Sequence, residues 1–249
     1  MINKYSSSYN KDIIVLEDDN IVELIFGNGW GSQQSKIDTN DLALHIYDYT
    51  RLAMYSLSFL NRTPKNVLVV GLGGGVIPRE TLRYVPDVEI DVIELDPLVV
   101  DLAKRYFYYD DKNIHTYVGD AFTEINNLNK TYDIIVLDAC NSNFIPFTLM
   151  CKEFFEKVKL AIKPNGIITF NTCNSHPSFF NQINTLYTVF GDKIYRLDGI
   201  KNTFSTTLYI CDTVNFNDRL PSVYYPLVVL NKVDISEEIK TSKIFEITT

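Results

Sequence analysis

From Asn66 onward, short runs of aliphatic and β-branched residues alternate with stretches whose apolar positions recur every three or four residues. NVLVVG (66–71), EIDVIEL (89–95), Ile114–Val118, DIIVLD (133–138) and GIITFN (166–171) read as strands, the last following the turn Lys163-Pro164-Asn165-Gly166. Val76–Tyr84, Pro97–Tyr106 with proline in its first turn, and Leu149–Ala161 read as the intervening helices. Strands apolar throughout belong to a sheet covered on both faces, so the expected class is α/β with parallel layers. Lys193–Leu197 and Thr206–Cys211 are two later strand candidates.

The first 38 residues follow a different pattern. Ile13–Leu16 and Ile21–Phe26 read as strands joined by the turn Glu17-Asp18-Asp19-Asn20, and the glycine-rich GNGWGSQQS follows. Residues 1–38 are therefore expected to be a small β extension, and 39–249 the main domain. Thr39 or Asp41 is the expected cap of a helix reaching about Leu60, and Val228–Leu230 is a candidate edge strand.

Composition narrows the function. The chain has 249 residues, 46% hydrophobic and 22% charged, with a formal net charge of −8. That acidity argues against nucleic acid or an anionic membrane as partner, because phosphate contacts need clustered Lys and Arg. A neutral or cationic small molecule suits it better. No apolar run approaches the ~18 residues of a membrane helix, and the polar start MINKYSSSYNKD lacks the core of a signal peptide. The four cysteines have no CxxC spacing, which suits reduced thiols in the cytoplasm. His45, His115 and His176 show no ligand spacing and are expected at the surface or packed on helices, so no metal is expected.

The chemistry gathers at strand ends. Gly71-Leu72-Gly73-Gly74-Gly75 follows the first buried strand and can take positive φ beside a ligand, although Val76 breaks the dinucleotide pattern G-x-G-x-x-G. Glu94 and Asp96 close the next strand, about 20 residues on, where a carboxylate can accept from ribose hydroxyls. Asp120 closes the third strand and could accept from an adenine amino group, and Asp138 closes the fourth. Any one acid could be a helix cap, yet carboxyl ends of parallel strands converge on one crevice. A nucleoside pocket follows. The short turn offers little cradle for a pyrophosphate and favours an S-adenosyl sulfonium compound over NAD.

VLVVGLGGGVIPRETLRY, VEIDVIELDPLVVDLAKRYF, HTYVGDAFTEI and the segment from YDIIVLDAC to GIITFNTC resemble the polyamine synthase family, over roughly residues 30 to 212. The resemblance implies a Rossmann-like class I S-adenosylmethionine-dependent methyltransferase fold with a small N-terminal β domain. It implies a spermidine synthase-like enzyme moving an aminopropyl group from decarboxylated S-adenosylmethionine to a diamine such as putrescine, and a homodimer. The implied cofactor-binding set is Gln34, Gly71, Gly73, Gly75, Glu94, Leu95, Asp120, Ala121 and Asp138; the implied catalytic residues are Asp138 and Tyr49. Asn141-Ser142-Asn143-Phe144-Ile145-Pro146 would be the family's gate, and Trp30 an anchor of the hairpin.

Departures from the family fall on the polyamine side. Gly74 stands where the family's glycine motif has an Asp, Asn141 where the Asp-x-x-Asp loop has its second acid, and Arg51 where Tyr-His/Gln-Glu has its Glu. Asn202-Thr203-Phe204-Ser205 lacks the family's tyrosine. A missing charge-assisted hydrogen bond forfeits about 1.5–3 kcal/mol, whereas losing an acid at 74 removes repulsion of the carboxylate of intact S-adenosylmethionine. Two alternatives stand beside aminopropyl transfer: methyl or aminocarboxypropyl transfer from intact S-adenosylmethionine, and nucleoside binding without catalysis.

Overall fold

A computed structural model describes residues 1–27, 33–60, 62–110, 113–140, 145–173, 177–191, 193–198, 205–211, 229–230, 233–234 and 245–246. Expectations that rest on Trp30, residues 141–144, His176 and residues 202–204 lie outside these.

The chain opens with a four-stranded antiparallel sheet, β1 (Ile2–Tyr5), β2 (Ile13–Asp18), β3 (Ile21–Phe26) and β4 (Gln33–Asp38), in the order β1-β2-β3-β4. β2 and β3 fall where the sequence puts them. β1 and β4 carry polar residues at most positions and give no apolar run, so their hydrogen-bond pairing, rather than their own patterning, makes them strands. The helix α1 spans Asp48–Phe59, and neither Thr39 nor Asp41 caps it. Asp41 and Leu44 donate backbone hydrogen bonds to Asp38 and Asp41 carbonyls (3.1 and 3.0 Å), which folds that stretch into turns and delays the helix.

After α1 come β5 (Asn66–Val70), α2 (Val76–Tyr84), β6 (Glu89–Glu94), α3 (Pro97–Tyr106), β7 (Ile114–Val118), α4 (Ala121–Asn127) and β8 (Tyr132–Leu137). A 3-10 turn at Phe147–Leu149 leads to α5 (Lys152–Ala161), β9 (Ile162–Cys173), α6 (Phe179–Phe190), β10 (Ile194–Asp198) and β11 (Ser205–Cys211). Three two-residue strands follow: β12 (Val229–Leu230), β13 (Val233–Asp234) and β14 (Phe245–Glu246). The main sheet runs β14-β10-β11-β9-β8-β5-β6-β7. β7, β6, β5, β8 and β9 are parallel; β11 runs antiparallel between β9 and β10, so β10 regains the direction of the parallel set. The expected α/β class holds. β12 pairs with β13 in a ribbon of its own, not with the main sheet's edge.

Two cores explain why the strands are apolar throughout. Val67, Val69, Ile90, Val92 and Ile134 face α1 and α2; Leu68, Val70, Ile135 and Leu137 face α4, α5 and α6. α1 is buried along nearly its whole length, and the Tyr209 hydroxyl of β11 donates to the Leu52 carbonyl within it (2.6 Å). A third cluster joins Ile13, Val15, Leu24 and Ile37 of the first sheet to Val76 on α2 and Val99, Leu102 and Phe107 at α3. That packing lays β4 across the start of α2, at the carboxyl ends of the parallel strands.

Candidate active site

β5 and β8 are neighbours whose crossovers leave in opposite directions, so their carboxyl ends open a crevice at the switch point of the sheet. The glycine turn forms its floor. Gly71, Gly73 and Gly75 take φ of 93°, 52° and 71°, the region that favours glycine. Two backbone hydrogen bonds stitch this floor: Gly71 N–H to the Ile93 carbonyl and Asp138 N–H to the Val70 carbonyl, both 2.8 Å.

The turn approaches protein closely as well as bounding a crevice. A Cβ on Gly74 would lie 2.7 Å from Phe107 Cδ1 and 2.9 Å from Ser35 Cβ. The Gly74 N–H donates to Ser35 Oγ at 2.8 Å, so β4 is seated directly on the turn. The position where the family carries an acid is therefore occupied by a buried phenyl ring and a serine. Gly74→Asp should lower stability by about 1–3 kcal/mol through overpacking; a lower melting temperature, partly regained with Phe107→Leu, is the expected result.

Glu94, at the end of β6, is held from two sides. Its Oε2 accepts from the Leu72 N–H of the glycine turn and its Oε1 from the Asp96 N–H, both 2.9 Å. Burial raises its pKa, and these N–H donors work against the rise. Each carboxylate oxygen has a second lone pair, so a ligand hydroxyl can be bound in addition. Asp96 lies elsewhere. It is 1% exposed, caps α3 by accepting from Leu98 N–H (3.0 Å), and accepts from Ser7 and Asn10. The sequence puts it with Glu94 at the ribose; the fold instead ties it to the N-terminal segment.

Asp120 is exposed at the rim, where its Oδ1 caps α4 through the Phe122 N–H (3.1 Å). Beside it the Gly119 N–H donates to the Glu94 carbonyl (2.9 Å), which fixes the spacing of the two strand ends. Leu95 is 42% exposed at the same rim, and Ala121 is buried in the first turn of α4.

Asp138 follows β8, half-buried, and its Oδ1 accepts from Asn171 Nδ2 at 2.7 Å. Burial pushes its carboxyl up to about 7, against the opposing pull of Asn171. Tyr49, from α1, donates its hydroxyl to the Gln34 carbonyl of β4 (2.5 Å) and hydrogen-bonds Ser35. Burial first, then the charge of Asp138, raises the phenol well above its ordinary value, so Tyr49 stays a neutral hydroxyl. Cys140 stands close to Asp138 with its surface exposed; desolvation by the surrounding chain, then the neighbouring Asp138 and Cys173, raises the pKa of its thiol.

Gln34, Tyr49, the glycine turn and Asp138 thus meet around one crevice, with Glu94, Leu95, Asp120 and Ala121 along its β6–β7 side. Ser35, Phe107 and Asn171 have no role that the sequence alone suggests. Asn171 carries a readable signal, a polar residue directly after the buried run Ile167–Phe170 of β9, the neighbour of β8. Arg51, in the place of the family's Glu, donates to Asp48 (3.1 Å) and Tyr55 (3.0 Å) within buried α1. His45 is buried, its Nδ1 bonded to Thr50 Oγ1 (2.8 Å), and burial followed by the charges of Arg83, Arg79 and Arg51 lowers it to about 3. His115 is exposed on β7. Among the described residues no three His, Cys, Asp or Glu side chains gather as metal ligands, and no helix is long and apolar enough to cross a membrane.

The Spermine/spermidine synthase domain model matches residues 47–191, more than half of the chain. The chain belongs to the spermine/spermidine synthase family. It is 31% identical over 199 residues to a polyamine aminopropyltransferase of Vibrio vulnificus, covering 77% of this chain and 66% of that one. It spans less of the plant spermidine synthases it matches, 36% of one from Arabidopsis thaliana, so it covers under two thirds of the length of these relatives. Among solved structures, a probable spermidine synthase from Corynebacterium glutamicum superposes with a TM-score of 0.74 at 16% identity, covering 100% of this chain and 97% of that one. A spermidine synthase in complex with the transition state analogue AdoDATO gives 0.62 at 18% identity, covering 94% and 86%. The strand order and these likenesses make the fold the Rossmann-like, methyltransferase-type fold.

Proposed function

We propose that this family member transfers an aminopropyl group from decarboxylated S-adenosylmethionine to a small amine, with a diamine such as putrescine as the acceptor class. The observation that carries the reading is the half-buried Asp138, poised near neutrality beside the Tyr49 hydroxyl and the glycine turn. Glu94 holds the ribose and Asp120 the adenine edge, with Gln34, Leu95 and Ala121 lining the nucleoside. Asp138 takes a proton from the acceptor ammonium. The freed nitrogen lone pair attacks the methylene carbon next to sulfur, the C–S bond breaks, and its electron pair returns to sulfur, releasing methylthioadenosine. An acid near neutrality suits that proton transfer, because general bases work best with pKa values close to the working pH. The same reading takes the protein as a cytoplasmic homodimer.

A second reading has a specific observation in its favour. Gly74 is packed against Phe107 and Ser35, so no carboxylate stands there to repel the carboxylate of intact S-adenosylmethionine. The test incubates the protein with either sulfonium donor and a panel of diamines. Methylthioadenosine formed only from the decarboxylated donor is the expected result. S-adenosylhomocysteine formed from the intact donor would favour methyl transfer instead, methylthioadenosine from it aminocarboxypropyl transfer, and adenosine binding without any product a non-catalytic role.

A further inference from the structure

The polar stretch after β1, Ser6-Ser7-Ser8-Tyr9-Asn10, is folded into a turn that locks itself. Ser7 N–H donates to the Asn10 carbonyl (2.8 Å) and Asn10 N–H to Ser7 Oγ (2.9 Å). The turn presents two donors in one direction: Ser7 Oγ and Asn10 Nδ2 both reach Asp96 Oδ2, at 2.5 and 3.0 Å. A second tie lies alongside, between the Tyr5 and Tyr106 hydroxyls (2.5 Å). These contacts join residues far apart in the chain.

Asp96 is a carboxylate at 1% exposure that accepts from the neutral donors Leu98 N–H, Ser7 Oγ and Asn10 Nδ2, and those donors are what make its burial tolerable. One oxygen is served by α3's own Leu98 N–H and the other by the turn. The same residue's N–H fixes Glu94 Oε1, opposite the Leu72 N–H on Oε2. The plane of the Glu94 carboxylate is thus set between the glycine turn and Asp96. A carboxylate that accepts from two vicinal hydroxyls must keep that plane, and a residue that fixes a ligating group contributes to recognition without touching the ligand.

We infer that Ser7 and Asn10 are positioning residues for Glu94, acting through Asp96, so that the N-terminal turn forms part of the machinery that recognises a nucleoside's ribose. The inference rests on the reading that Glu94 binds ribose. Without the two donors, Asp96 turns toward water, its backbone follows, and Glu94 loses one of the two supports that hold its plane.

The experiment compares adenosine with 2′,3′-dideoxyadenosine by calorimetry, in the wild type, Ser7→Ala, Asn10→Ala, the double variant, and Ser7→Thr, which keeps the hydroxyl. The wild type should prefer adenosine. The double variant should lose about five- to tenfold of that preference with dideoxyadenosine affinity unchanged, the single variants should lose less, and Ser7→Thr should keep it. A purely structural role would weaken both ligands equally, and that outcome, or an intact preference in the folded variants, overturns the inference while leaving the Glu94 reading in place. A wild type that does not distinguish the two nucleosides overturns both. Should the double variant fail to fold, the single variants test the same point through a smaller loss of preference.

Discussion

Asp138→Asn should lower the transfer rate about 10²- to 10⁴-fold, the range supplied by a positioned general base, with nucleoside binding retained. The substitution is nearly isosteric, and the amide oxygen can still accept from Asn171 Nδ2, so the crevice keeps its shape and loses only the proton acceptor. In the wild type the carboxyl is pushed up to about 7 by burial, so the rate should climb with pH through neutrality and level off above it. Asn171 works against that upward push by donating to the carboxylate; Asn171→Leu should move the climb to higher pH. Stability supplies an independent check with the sign fixed by linkage. Below about pH 4 the carboxyl is neutral in folded and unfolded chains alike. Between there and about 7 the folded chain retains a proton that the unfolded chain has released, so this group's contribution falls as pH rises. Asp138→Asn should therefore melt higher than the wild type at about pH 8, and the gap should close on acidification. Initial rates from about pH 5.5 to 9 and melting curves at both ends measure it; a variant within about threefold of the wild-type rate removes Asp138 from the chemistry.

The parallel core was legible because its strands announce themselves. Buried on both faces, β5, β6 and β8 need no alternation, and their ends at Gly71, Glu94 and Asp138 could be placed within a residue. Elements whose stability comes from elsewhere left weaker marks. β1 and β4 are polar and owe their form to pairing with β2 and β3. α4, seven residues long, is too short to show a helical period, whereas α6 carries one, with Phe179, Ile183, Leu186 and Val189 on its buried face, that a search led by apolar strands passes over. β9 runs through the Lys163-Pro164-Asn165-Gly166 turn signal, taking it up as an irregularity in register with β8 and a positive φ of 57° at Asn165. Strand-end acids are alike in sequence and differ in use: Glu94 is aimed into the crevice by two backbone donors, whereas Asp96, two residues later, is turned away by Ser7 and Asn10. Only tertiary contact across the N-terminal segment separates them.

Gly71→Ala should destabilise the fold by about 2–6 kcal/mol, the sum of a backbone penalty of ~1–3 kcal/mol for a side chain in a glycine-only conformation and ~1–3 kcal/mol of overpacking. Its φ is 93°, and a Cβ would stand 2.7 Å from the Asp138 carbonyl oxygen, 2.8 Å from its carbon and 2.9 Å from Ala139 Cα. These are backbone atoms, which cannot swing aside as the end of a long side chain would. Relief requires β5 and β8 to part at their carboxyl ends, and the Asp138 N–H bond to the Val70 carbonyl is what holds them together there. Gly191 provides the control. Its φ of 73° is also positive, but a Cβ there would meet nothing within 4 Å, so Gly191→Ala should lose only the backbone part. In a chain of this size a change of about 1 kcal/mol shifts the melting temperature by ~2–4 °C, which separates the two variants in a thermal scan. The clash also displaces the very residue assigned the proton transfer, so the Gly71 variant, assayed while still folded, should lose catalytic rate as well, and the Gly191 variant should not. Equal melting temperatures for the two would mean that the floor of the crevice yields freely, and that the separation between the glycine turn and Asp138 is not what the fold defends.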